Sequence, residues 1–384
     1  MSEDRKFCEN PWTYCEIYTG GGVYVCCPAW NYNVPVGNIF SDSPEQIWNS
    51  YQAQRFRMGI LDGSFAACDH EKCPVLIARS LPTVAQARTS WLGPILSDAI
   101  DNKRVVATHG PSVVKLGYDA SCNLICPSCR TELIVAKKQE QEKLNQIRDQ
   151  FILPFLKHAR ILVMSSDGDP FASNHYRDIM QLTWEKLPDL RLGLCTNGVL
   201  LDEKAWDHCH LEGRVASVQI SIDAARRETY DYVRRGGDFD RLNQNLHFLS
   251  QKRRSSPGFA EFDLLFVVQA CNFREMPAFV ELGESVGADS VQFMLIDRWG
   301  RAMGADEYKR AKIWDKEHLE YAAFVDVLKD DVLRRPIVKL GNVEAIVRSE
   351  QPPELHIDFK SGKITRSAPP PSQDRAKVLL KTVQ

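Results

Sequence analysis

The sequence predicts an α/β protein, a partial (β/α)6 barrel preceded by a small Cys-rich module. Three observations carry that expectation. From residue 112 onward, short apolar runs alternate with stretches of helical periodicity, the pattern of consecutive βα units around a parallel sheet. Six strands fall short of the eight that close a full barrel, so an open or partial one is expected. Most of the twelve cysteines crowd into 8–27, 68–73 and 122–129, a distribution that suits metal ligation better than a disulfide frame.

In chain order, residues 1–75 are rich in Cys, Trp, Tyr and Gly and read as a loop-rich module. One helix is expected at 44–57, where Ser43 can cap and Pro44 occupies the first turn. Residues 76–110 read as a linker with one amphipathic stretch around 83–100. The barrel region, 111–300, is expected to place strands at 113–118, 161–165, 190–194, 215–222, 263–269 and 290–295. Helices are expected between them at 142–157, 176–186, 203–209, 241–251 and 274–286. A helical extension occupies 301–348. Beyond it, Pro352, Pro353 and Pro369 to Pro371 break regular structure, leaving 349–384 as a mobile tail with one possible helix at 374–383.

Charge and hydropathy exclude several classes. With 48 basic and 50 acidic residues the net charge is -2, which gives no electrostatic reason to expect a nucleic-acid partner. Every hydrophobic run is broken by charge well short of the roughly 20 residues of a membrane span. The opening Met-Ser-Glu-Asp-Arg-Lys lacks the basic-then-apolar order of a secretory signal, so a cytoplasmic, thiol-reducing location is expected.

The strongest chemical signal is Cys122-Asn-Leu-Ile-Cys126-Pro-Ser-Cys129, directly after the first barrel strand. Ligand sites of parallel sheets lie beyond the carboxyl ends of strands, where one short loop can turn three thiolates toward one point. Three thiolates suit three corners of a cubane iron-sulfur cluster and leave the fourth iron open. The alternative is a structural zinc site completed by His109, His158 or another ligand.

This triplet, and the βα units after it over about residues 112–300, resemble the core of a radical SAM enzyme, a TIM-like partial barrel. The resemblance implies a 4Fe-4S cluster on Cys122, Cys126 and Cys129 whose open iron holds S-adenosylmethionine. It implies reductive cleavage to a 5'-deoxyadenosyl radical that takes a hydrogen atom from substrate. The aromatic residue usual before the last cysteine is Ser128 here. Asp167-Gly168-Asp169-Pro170 resembles the family's Gly-Gly-Glu element, with Asp169 in the acid's place as acceptor for the cosubstrate ammonium. Cys195-Thr196-Asn197-Gly198 resembles its Thr-Asn-Gly turn. Ser221 and Asn272 stand at strand ends where related proteins contact the ribose.

Ahead of the core, Cys8, the Gly21-Gly-Val-Tyr-Val-Cys26-Cys27 run, Cys68 and Cys73-Pro74 resemble a SPASM module, which in the family usually follows the core. The resemblance implies one auxiliary 4Fe-4S cluster on Cys8, Cys26, Cys68 and Cys73. Cys27 competes with Cys26, and Cys15 is a possible extra ligand; a zinc ribbon on the same four residues is the alternative. The auxiliary cluster would serve as an electron relay or as a staple for a small domain short of core.

Several further groups carry weaker signals. Neighbours in Asp207-His208-Cys209-His210 point apart on a helix and cannot share one ion. Arg226, Arg227, Arg234 and Arg235 read as a solvated face, or as a hold for an anionic substrate group. Cys271, at the barrel mouth, is a candidate catalytic thiol that would return a hydrogen atom to a substrate radical. Trp299-Gly300 would wall the substrate pocket. The expected activity is modification of a peptide or protein, with electrons from a flavodoxin or ferredoxin. A carbohydrate or aminoglycoside-like epimerase or dehydrogenase is the second reading, and a non-catalytic zinc or iron-sulfur protein the third.

Overall fold

The computed structural model describes residues 2–350 apart from 78, 166, 257 and 298–301, together with 355–358 and 363–366. Trp299-Gly300 and the helix expected at 374–383 lie outside the described residues.

Six strands run parallel in chain order: β4 (Val113–Gly117), β5 (Ile161–Met164), β6 (Arg191–Thr196), β7 (Val215–Ser221), β8 (Glu261–Val268) and β9 (Ser290–Leu295). β10 (Val338–Lys339) adds to β9 in parallel. The other side is extended by β1 (Tyr14–Tyr18), β2 (Gly22–Tyr24) and β3 (Gly37–Asn38), so one ten-stranded open sheet runs β10-β9-β8-β7-β6-β5-β4-β1-β2-β3. The partial, unclosed barrel is thus present.

Period two decides the two faces of the sheet. Val114, Leu116, Leu162, Met164, Leu192, Leu194, Ile220, Leu264, Phe266 and Phe293 are all buried in one hydrophobic core. There Phe266 packs its ring 4.8 Å from Phe279 and 5.5 Å from Phe293. The alternate positions, among them Lys115, Cys195, Gln219, Asp263 and Gln292, make a polar face. Gln292 donates to Asp263 at 3.0 Å, and Lys115 pairs with Glu16 at 2.9 Å. Helices between the strands start on side-chain caps: Ser173 for Asn174–Lys186, Asp202 for Glu203–His208 and Asp238 for Phe239–Ser255.

Five expectations are corrected. The loop-rich module carries strands, and β1 lies parallel to β4 in register from Tyr14↔Val113 to Tyr18↔Gly117, inside the barrel sheet. The single helix at 44–57 is two, Pro44–Trp48 and Tyr51–Asp62, because Ser50 caps the second by accepting from the amide of Ala53. The helix expected at 142–157 starts at Lys138 and turns to a wider π-type winding over Arg148–Ile152. The stretch at 83–100 is two helices, Val84–Arg88 and Gly93–Asp101, whose Val84, Ala87, Leu96 and Ile100 join the common core, so the expected linker is packed structure. Finally, Leu355–Asp358 and Lys363–Arg366 pair as an antiparallel hairpin beyond the prolines, in keeping with their alternating side chains.

Arg57 locks the module to the chain that enters the barrel. Its fully buried guanidinium donates to the carbonyls of Pro11 (2.9 Å), Trp48 (2.7 Å) and Val105 (2.9 Å) and to Oδ1 of Asn49 (2.8 Å). Burial lowers its pKa to about 10.

Candidate active site

β4 delivers the cysteine loop beyond its carboxyl end. Asp119 holds the loop's entry, accepting from the amide of Ser121 (2.9 Å) and the hydroxyl of Ser173 (2.5 Å). The loop is then pinned by its own backbone: Cys122 N–H donates to Ile134 O, Ile125 N–H to Arg235 O, and Cys129 N–H to Cys126 O, each at 2.9 Å. Cys122 and Cys126 are buried, whereas Cys129 is exposed. Two arginines reach the sulfurs. Arg130 Nη2 lies 3.4 Å from Cys129 Sγ and Arg234 Nη1 lies 3.9 Å from Cys126 Sγ. Burial pushes the Cys122 thiol up to about 11, so loss of its proton calls for compensating positive charge of the kind a bound metal supplies.

The loop after β5 presses against the cysteine loop. A Cβ on Gly168 would sit 2.6 Å from the carbonyl oxygens of both Asp119 and Ser121, and its φ of +77° also requires glycine. Asp169 is fully buried, its amide donating to Ser121 O at 2.8 Å. Its carboxylate accepts from Thr196 Oγ1 (2.6 Å), Asn197 N (2.8 Å) and Phe171 N (3.0 Å). Both oxygens are therefore engaged, and Asp169 ties the β5 loop to the β6 loop. Asp167 is the more open acid, about a third exposed, and accepts from Arg130 (3.3 Å) and Thr19 (2.7 Å).

The remaining strand ends differ in what they offer. Asn197 Nδ2 donates to Asn123 Oδ1 at 2.9 Å and lies 4.0 Å from Cys122 Sγ, beside the sulfurs. Ser221 ends β7, half-buried. Asn272 is buried, and its amide is spent on backbone: Oδ1 accepts from Gln269 N (2.7 Å), while Nδ2 donates to Asp223 O and Val267 O (both 2.9 Å). Both of its N–H donors are thus engaged, and it supports the β8 turn. Cys271 next door opens onto a cavity of about 170 Å³ lined also by Pro127, Ser128, Tyr232 and Arg310. Surrounding protein pushes its pKa to about 11, so the thiol keeps its proton at neutral pH.

The second sulfur site is assembled from four points. Cys8 is raised by burial and then by the neighbouring Cys26, Cys68 and Cys73. Cys26 is pushed up to about 12 by burial and by Cys73, and Cys68 to about 11 by burial and by Cys73. Cys27 bears on Cys26 as well as on Tyr14, Tyr18 and Lys115, and Cys15 is wholly buried in the hydrophobic core. A bound cationic cluster would offset the cost of deprotonating such a set of thiols. Among the described residues no group of three or more His, Cys, Asp or Glu is placed to hold a metal ion.

Sequence reasoning missed Arg130, Asp223 and Thr19, and set Arg234 among solvated arginines. Arg234 is instead half-buried and pairs with buried Asp223 at 2.8 Å. The signal within reach was position: Arg130 follows the last cysteine, and Asp223 follows a strand end with φ +63°.

These loops around a three-thiol turn define a class that comparison with known proteins bears out. Residues 120–257 match the radical SAM superfamily, and residues 8–74 match SPASM, an iron-sulfur cluster-binding domain. The chain thus carries a radical SAM domain with a SPASM module ahead of it. Those domains imply a 4Fe-4S cluster with S-adenosylmethionine in the core and auxiliary iron-sulfur ligation in the module.

Among curated relatives, an uncharacterized protein of Archaeoglobus fulgidus is 27% identical over 169 residues, covering 42% of this chain and 36% of the relative. Mycofactocin maturase MftC of Mycolicibacterium smegmatis is 25% identical over 199 residues, covering 52% of this chain and 46% of the relative. The chain thus spans less than half the length of these relatives. Among solved structures, Streptococcus suis SuiB bound to S-adenosylmethionine aligns with a TM-score of 0.41 at 12% identity, covering 89% of this chain and 72% of SuiB. The enzyme anSMEcpe with bound AdoMet aligns with a TM-score of 0.40 at 19% identity, covering 59% of this chain and 63% of that one. No helix among the described residues is long and apolar enough to cross a membrane.

Proposed function

We propose that this chain cleaves S-adenosylmethionine reductively and uses the resulting radical to abstract a hydrogen atom from a peptide or protein. The observation that carries the reading is the loop at 122–129, whose three thiols stand beyond β4 with the β5 and β6 loops packed against it. Bound there, the cluster and its cosubstrate would supply the 5'-deoxyadenosyl radical; the protein binds, orients and shields.

In this reading Cys122, Cys126 and Cys129 hold three irons. The Asp167-Gly168-Asp169 turn would receive the cosubstrate ammonium, with Asp169 held in place by Thr196, Asn197 and Phe171 and Asp167 by Arg130 and Thr19. Asn197 and Ser221 line the same mouth, and Asn272 keeps the β8 turn in place. Cys8, Cys26, Cys68 and Cys73 hold the auxiliary cluster. Electrons come from a small carrier such as a flavodoxin or ferredoxin. The peptide substrate is supported by the maturase relative and by the SPASM module.

A second reading rests on Cys271. A protonated thiol on the cavity beside the cluster loop suits return of a hydrogen atom to a substrate radical. The new C–H bond would leave a sulfur radical, restored by one electron and one proton with the auxiliary cluster or external carrier as reductant. The outcome would be epimerisation, of a peptide residue or of a carbohydrate or aminoglycoside-like molecule.

The test is direct. Anaerobically reconstituted, dithionite-reduced protein is expected to form 5'-deoxyadenosine from S-adenosylmethionine, and Cys126→Ala to form none. Wild-type protein that binds its clusters and forms none would be a binding protein. Unchanged product and rate in Cys271→Ala would remove the epimerase reading alone.

A further inference from the structure

The auxiliary module touches the catalytic loop through a short polar chain that neither sulfur site needs for ligation. Thr19, in the turn between β1 and β2, donates its hydroxyl to Asp167 Oδ2 at 2.7 Å. The other Asp167 oxygen takes Arg130 Nη2 at 3.3 Å. Nη1 of the same guanidinium donates to Ala120 O at 2.7 Å, and Nη2 also reaches Cys129 Sγ at 3.4 Å. The Arg130 side chain is only 6% exposed, so its orientation follows from these contacts.

Two cations face the sulfurs, and their surroundings decide which acts more strongly on them. Arg234 lies 3.9 Å from Cys126 Sγ, but its charge is offset by Asp223, 2.8 Å away and almost fully buried. Arg130 is closer to its sulfur, and its acid is farther and a third exposed to solvent, which screens the acid. A cation donating to a thiolate stabilises the reduced, more negative cluster and raises its potential.

Resting on the radical SAM reading, we propose that Arg130 sets the reduction potential of the open cluster and that Thr19 of the auxiliary module, through Asp167, holds it in position. The auxiliary module would thereby act on the catalytic cluster electrostatically, apart from any electron it carries. Arg130 is a positioning and tuning residue, since it needs no contact with substrate.

The test is a potentiometric titration followed by electron paramagnetic resonance on full-length protein of verified iron content. The open cluster's signal is the one missing from Cys126→Ala. Arg130→Gln is expected to lower its midpoint by the equivalent of a tenfold fall in reduced fraction at fixed potential, about 59 mV for one electron. Arg130→Lys should recover part of that shift, and Thr19→Val should move the midpoint the same way by less, with the auxiliary signal unmoved. An Arg130→Gln midpoint equal to wild type at full iron content overturns the proposal. A Thr19→Val midpoint equal to wild type removes the role of the module. Wild-type protein that shows both signals but cleaves no S-adenosylmethionine would overturn the enzymatic reading and leave this one standing.

Discussion

The two sulfur sites are built by opposite routes. The catalytic set comes from one loop, residues 122–129, pinned by its own amides at one strand end. The auxiliary set draws Cys8, Cys26, Cys68 and Cys73 together from across the whole N-terminal module. Closing one short loop costs little entropy, while bringing four distant points together must be supported by packing elsewhere. Packing around the auxiliary site is accordingly heavy, with Phe7 stacked on Trp12 at 5.3 Å and Arg57 buried behind.

Cysteine replacement sharpens the contrast most. Cys126→Ala should abolish 5'-deoxyadenosine formation while melting close to wild type, whereas Cys73→Ala should lower the melting temperature as well as the iron content. Equal melting behaviour of the two would break the comparison. Next is the support of the distributed site: Arg57→Met takes their guanidinium donor from the carbonyls of Pro11, Trp48 and Val105, while Asn49 Oδ1 keeps the Ala107 amide. A loss on the order of 3 kcal/mol is expected, read as a lowered urea midpoint.

An acid titration probes the other site. Burial lowers the His175 pKa from 6.5 to about 4, and its Nε2 lies 2.7 Å from the Tyr118 hydroxyl at the entry of the cysteine loop. The folded protein holds this ring neutral, so its contribution is intact above pH 6.5. It is lost as the pH falls from 6.5 toward 4, while the unfolded chain takes up the proton first. The full difference is on the order of 3 kcal/mol, and His175→Gln should flatten that part of the stability profile. The smallest effect is expected for Gly168→Ala. The clash with Asp119 and Ser121 and the positive φ should cost about 1 to 3 kcal/mol and reduce turnover through the displaced cysteine loop.

Much of the core was legible. The six strand positions follow from short apolar runs, since a strand packed under helices must be apolar on that face, and β9 lies at Ser290–Leu295 as the sequence predicts. The triplet of cysteines was legible because all three sit within one short loop, residues 122–129. Asp169, Asn272 and Arg234 were not readable in the same way. Each sits at an expected strand end or loop, yet what its side chain meets depends on residues many positions away: Thr196, Asp223 and Cys126. Splitting of the helix at 44–57 turned on a local competition, in which Ser50 offers a cap stronger than continuation through Asn49.

By itself, then, the sequence determined the βα order, the cysteine loop beyond the first barrel strand and the presence of a second thiol set, because spacing and periodicity are properties of contiguous chain. Tertiary structure decided that β1 joins the barrel sheet and that Arg130 bridges Asp167 to the Cys129 sulfur. Those are matters of which distant surfaces meet, and sequence-local physics carries no record of them.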